Sequence, residues 1–205
     1  MTSKNETLQT YTIMTLASVC IAMNVGLGVL VNAVKLPIYL DASGTIAFAL
    51  LAGSLGHRGF LYAAFVGGAS FLITGLLFNP VVIWFIPTQI AIAAFTFYCI
   101  RPFLSRFNEK EGSILKKGTL LIPSGILLGV VAGVVSAPII AMVFGGITGA
   151  GASAITALFL KSGATLFESV LASGIASEPL DKTIQLLLGY SLAKATPEKV
   201  KKSLA

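Results

Sequence analysis

Residues 10–34, 60–78, 81–100 and 119–144 contain no Asp, Glu, Lys or Arg and are dominated by apolar side chains. A helix of about 20 such residues crosses a hydrocarbon core of about 30 Å. With no water there, the backbone must satisfy its own hydrogen bonds, which selects helices for segments of this length. The pattern therefore predicts an all-α integral membrane protein with most of the chain in the bilayer. Only 11% of its 205 residues are charged, where a soluble domain carries about 25%. One compact domain over residues 1–205 is expected.

The net charge of +6 would suggest nucleic acid as a partner for a soluble chain. Here it reads as Lys and Arg collected in cytoplasmic loops, with the lipid bilayer as the partner and no nucleic acid. Cys20 and Cys99 lie in apolar stretches and read as small buried hydrophobes. The first apolar run is too long for a cleavable signal peptide.

Between the clear spans, 41–56 reads as a short second helix, with Asp41 or Ser43 able to cap its start. Pro80 suits a helix start, and 101–117 reads as a long polar loop. The glycine-rich 145–179 stretch holds no clean apolar run, so it is expected to be an outer loop with one or two partly immersed helical pieces. Residues 181–194 would form the last span, extended upstream if the helix kinks at Pro179. Six transmembrane helices with the N- and C-termini cytoplasmic place eleven of the 14 Lys and Arg inside, a strong positive-inside bias. Lys35, Lys161 and Lys182 then fall outside, as does the loop K-L-P-I-Y-L-D-A-S-G-T at 35–45.

That loop joins two apolar segments and carries a cation, a ring, a proline and an acid. Polar and aromatic residues from neighbouring spans reach the same level, giving a candidate substrate-binding pocket of Asn32, Lys35, Tyr39, Asp41, Trp84, Thr88, Gln89, Ser136, Asp181 and Gln185. Such a set suits a small, polar, partly aromatic solute. Trp84 has a competing role as an interfacial anchor, Asp41 as a cap, and Asp181 with Lys182 as a helix start in water. Asn32 and Gln89 stand out because amides at membrane depth are costly without partners. On the first helix, Ser18, Ala22 and Gly26 form a small-residue stripe that permits close helix approach. It either packs inside the bundle or offers a docking face. Asn24, Gly28 and Asn32 form a second, polar stripe.

Several motifs fail in context. G-A-G-A-S-A at 149–154 fits a loose dinucleotide pattern but follows a membrane helix, not a strand. Lys161-Ser162 lacks the glycine loop of a phosphate-binding sequence. His57 is the sole histidine, which disfavours a histidine-based triad or metal site. No catalytic residue, metal ligand or cofactor is expected, and the chain does not read as an enzyme.

L-P-I-Y-L-D-A-S-G-T (36–45), A-L-L-A-G-S-L-G (49–56), G-G-I-T-G-A-G (145–151) and S-E-P-L-D-K (177–182), on six spans with a short second helix, resemble the substrate-binding S component of energy-coupling factor (ECF) transporters. These import vitamins and similar micronutrients into prokaryotes. The resemblance implies capture of a vitamin-like solute from outside at the cell membrane. It also implies docking through the first helix on a transmembrane coupling protein, with two cytoplasmic ATPases supplying the energy. The family's alanine-rich docking motif maps onto Ser18, Ala22 and Gly26. The alternatives are a ligand-sensing membrane module, expected to carry a soluble signalling domain in the same chain, and a stand-alone small-solute carrier, expected to show paired inverted halves.

Overall fold

The structure, a computed structural model, describes residues 3–106 and 114–204, and they contain helices but no strand. Helix α1 spans Ser3–Ala33, and a loop at 34–42 leads into α2, Ser43–Leu51, which tightens into a 3-10 turn at Ala52–Leu55. Helix α3 spans His57–Leu77. A 3-10 turn at Pro80–Phe85, α4 (Ile86–Phe95), a π-helical turn (Thr96–Ile100) and α5 (Arg101–Arg106) then run on as one stretch. Helices α6 (Ile114–Phe144), α7 (Ser153–Lys161), α8 (Leu166–Ala195) and α9 (Glu198–Ser203) complete the described chain.

Among the described residues, Glu6–Ala33, His57–Leu77, Pro80–Arg106 and Thr119–Phe144 are long and apolar enough to cross a membrane. The chain is thus a multi-pass helical membrane protein. Helix α2 is of another kind: Ser43 through Ala49 are all buried, as expected of a helix that is apolar all round. It touches α1, α3, α4 and α8 and forms the axis of the molecule. Phe48, Ala63, Val66 and Phe97 belong to one apolar cluster built on it, and Ile46, Ile92, Leu128 and Leu186 to another.

Three expectations need correction. The start of α2 is capped by neither Asp41 nor Ser43: Ala42 holds the cap position and makes no side-chain cap bond. The α2 N-terminus is buried, so its free N–H groups are met from other helices. Asn24 Oδ1 of α1 accepts from Gly44 N–H at 2.7 Å, and Gln185 Oε1 of α8 accepts from Ala42 N–H at 2.8 Å. The 145–179 stretch is less loop-like than expected, because α8 already begins at Leu166 and continues through Pro179. Its start is a capping box: Thr165 N–H donates to Glu168 Oε2 at 2.9 Å and Glu168 N–H to Thr165 Oγ1 at 3.4 Å. The polar 101–117 loop is also shorter than expected, since Arg101–Arg106 is helical and α6 begins at Ile114. Residues 107–113 lie outside the described residues.

Small residues set the closest helix contacts. A Cβ on Gly129 of α6 would collide with the backbone of Glu178 and Pro179, and Gly133 lies against Gly174. In the same way Gly44 of α2 lies on the Cys20 carbonyl of α1, and Gly189 of α8 on the start of α2. Lipid supplies little hydrophobic drive for helices to associate, so backbone approach of this kind is what holds a membrane bundle together. At the far end of α1 from the 34–42 loop, Gln9 Nε2 and Ser54 Oγ both donate to the Leu204 carbonyl at 3.0 Å. Both ends of the described chain therefore lie at one end of the bundle.

Candidate functional site

The 34–42 loop is held from below by α8. Asp181 Oδ1 accepts from the backbone N–H groups of Tyr39 at 2.9 Å and Leu40 at 3.0 Å. Its other oxygen accepts from Gln185 Nε2 at 2.7 Å and from the Lys182 ammonium. Leu40 is held at φ +51 and Lys35 at φ +55, a region that side chains other than glycine enter only when neighbours compensate. The Lys35 ammonium donates to Asn32 Oδ1 at 3.2 Å and to the Gly149 carbonyl at 3.1 Å, and Gly151 lies directly on the carbonyls of Lys35 and Leu36. The 34–42 and 145–152 loops thus close over the bundle as one cover.

Beneath that cover is a cavity of about 350 Å³, within the range of sites that bury small organic ligands. Asn32, Lys35, Tyr39, Asp41, Thr88, Gln89 and Ser136 line it, as expected from the sequence. Three expected residues do not. Trp84 is 57% exposed on the outer surface of the 3-10 turn, where it fits the interfacial anchor. Asp181 and Gln185 are fully buried behind the wall, occupied with the loop backbone, and Asp181 is no helix start in water. Both of them lie mid-helix because α8 begins about four turns or more upstream, at Leu166.

The wall also includes residues that the sequence reading left out. Glu178 and Lys182, one helical turn apart, form an ion pair at 3.1 Å and are 6% and 2% exposed. The Lys182 ammonium also lies 5.6 Å from the centroid of the Tyr39 ring, at cation–π range. Phe71, Phe78, Phe85, Asn79 and Thr148 complete the lining relevant to a solute. The readable signal was the spacing of Glu178, Asp181, Lys182 and Gln185, which is i, i+3, i+4, i+7 and places all four on one helical face. In the loop, burial pushes the Asp41 carboxyl up to about 6, opposed by the nearby Lys182 ammonium. Burial also raises the Tyr39 phenol above its usual range.

A buried amide network supports the opposite wall. Asn24 Nδ2 donates to Thr45 Oγ1 at 2.9 Å and to Ser70 Oγ at 3.1 Å, and Thr45 Oγ1 donates to Gln89 Oε1 at 3.1 Å. Gln89 Nε2 reaches the Asp41 carbonyl at 3.5 Å, the outer limit for such a bond. Gln89 therefore ties α4 to α2 as well as lining the cavity. Thr88 Oγ1, also on the wall and 7% exposed, has no hydrogen-bond partner, and Glu178 Oε2 has its ion pair but no hydrogen bond. No group of three or more His, Cys, Asp or Glu is placed to hold a metal among the described residues.

The small-residue stripe of α1 points elsewhere. Ser18, Ala22 and Gly26 are exposed, and a Cβ on Gly26 would meet nothing within 4 Å. Of the two placements open from sequence, packing inside this bundle does not occur, whereas Asn24 on the other stripe is buried.

Fold and site together define a multi-pass, all-helical membrane protein with an internal cavity roofed by two loops. Compared with known protein families, with curated proteins and with solved structures, the chain matches none.

Proposed function

We propose that the protein is the solute-capture subunit of an ATP-driven importer of the ECF type. In this role it binds a vitamin-like micronutrient from outside and docks on a transmembrane coupling subunit that works with two ATPases. The observation that carries the reading is the roofed cavity of about 350 Å³ at the end of the bundle away from both ends of the described chain. Two further features support it. The exposed Ser18, Ala22 and Gly26 stripe leaves one face of α1 open to a second membrane protein. Arg58, Arg101 and Lys199 fall toward the end where Gln9, Ser54 and Leu204 meet, the side expected in the cytoplasm. In this reading α2 and α8 complete six spans, with the N- and C-termini cytoplasmic in a prokaryotic plasma membrane.

The test is native mass spectrometry on protein purified gently from its own membrane. A bound mass of vitamin size together with a coupling protein and two ATPases is expected. Ala22→Trp should remove the coupling protein and ATPases while the small molecule stays bound. Undiminished co-purification of the coupling protein with Ala22→Trp would overturn the assigned docking face.

A further inference from the structure

We infer that the cavity takes a small organic cation, a ring-bearing amine whose positive nitrogen sits beside Asp41 and Glu178. This rests on reading the cavity as the solute site.

Charge comes first. Asp41, Glu178 and Asp181 are all within electrostatic reach of Lys182, so three carboxylates surround a single buried ammonium. Lys35 is the other cation on the wall, but it is exposed at the rim, with its ammonium on Asn32 and Gly149, where solvent screens it. Bringing in a positive group offsets the excess of buried acid, and bringing in an anion adds to it.

The available hydrogen-bonding groups agree. An ammonium has three N–H bonds. That of Lys182 faces Asp181, Glu178 and the Tyr39 ring, so Lys182 has no N–H to spare for an anionic ligand. Of the groups left over, the Glu178 carboxylate has only Lys182 on its Oε2 and can accept further N–H donors, and the Thr88 hydroxyl, able to donate or accept, has no partner; both residues are more than nine-tenths buried in the cavity wall. A buried polar atom without a partner is costly, and an N–H donor arriving with the ligand relieves that cost at Thr88.

Size and surface define the rest of the ligand. A cavity of about 350 Å³ is far larger than a metal ion, and no metal-holding cluster occurs among the described residues. Tyr39, Phe71, Phe78 and Phe85 provide aromatic wall, which favours both a ring and a desolvated cation.

The experiment is calorimetric titration of the full chain in nanodiscs with phenethylammonium and benzyltrimethylammonium, against phenylacetate and 2-phenylethanol. The cations should bind at least tenfold more tightly than the anion or the alcohol, a difference of about 1.4 kcal/mol or more. Glu178→Gln and Asp41→Asn should each weaken the cations at least tenfold and leave the alcohol unchanged. Since Glu178→Gln also strips Lys182 of a partner, Asp41→Asn is measured alongside it, on samples that elute as a single species. Phenylacetate binding as tightly as the cations, or cation affinity undiminished in both variants, overturns the inference. If the anion or alcohol binds and the cations do not, the inference fails and the solute site stands. If none of the four binds, the solute-site reading of the cavity fails with it.

Discussion

Asp181 is the residue on which the cover of the cavity depends. Its carboxylate meets two loop N–H groups, the Gln185 amide and the Lys182 ammonium from a position with no solvent contact. Breaking a buried ion pair by removing one partner costs about 3–5 kcal/mol, because the other charge is left uncompensated. Asp181→Ala is therefore expected to destabilise the protein by that amount, read as a lower thermal unfolding midpoint in detergent, and a wild-type midpoint would refute the clamp. Asn24→Ala should cost less, about 1–3 kcal/mol, since it orphans the Gly44 N–H and its hydroxyl partners but no charge. The sequence already placed Asn24 on a polar stripe of the first helix. It did not disclose the neutralising arrangement around Lys182. Read locally, S-E-P-L-D-K looks like a charged helix start, and only the three-dimensional neighbours of those charges show that they are buried.

At the scale of the element, small residues on two helices do opposite jobs. Gly129 sits where α6 lies on the backbone of α8, whereas Gly26 on α1 has open space beyond it. Gly129→Leu is expected to overpack the α6–α8 contact and cost about 1–3 kcal/mol or more. Gly26→Leu should leave the midpoint of the isolated chain within about 0.5 kcal/mol of wild type, as a surface change does. Equal losses in both would mean that the stripe on α1 packs against this chain after all. The long uncharged runs made α1, α3, the 80–106 stretch and α6 legible, because length and apolarity alone decide what crosses lipid. Helix α8 is less legible: its polar stripe lowers its apolarity, Pro179 suggests a break, and its start is marked only by the short T-x-x-E capping signal at 165–168.

For the whole molecule, Lys35 in the 34–42 loop and Lys199 in α9 lie at opposite ends of the bundle. With Cys20 and Cys99 replaced by Ser, Lys35→Cys should react with a membrane-impermeant maleimide on intact cells. Lys199→Cys should react only after the membrane is opened. The reverse pattern would invert the orientation and put the roofed cavity on the cytoplasmic side. Which side of the membrane each faces is what the labelling decides; that they lie at opposite ends was legible from the alternation of apolar runs. The shared anchor of Gln9 and Ser54 on the Leu204 carbonyl was not, because it joins residues 195 and 150 positions apart through a backbone atom.

The central position of α2 also bears on how the chain is made. Its N-terminus takes its caps from Asn24 and Gln185, one synthesised before it and the other long after. Until α8 has emerged from the ribosome, Ala42 has no acceptor from Gln185, and the face of α2 destined for Gly189 has only lipid or the insertion machinery beside it. Spans released one at a time into the bilayer would leave this end of α2 with a buried N–H unmet until then. The capping of the molecule's axis is complete only with α8, nearly the last helix of the described chain.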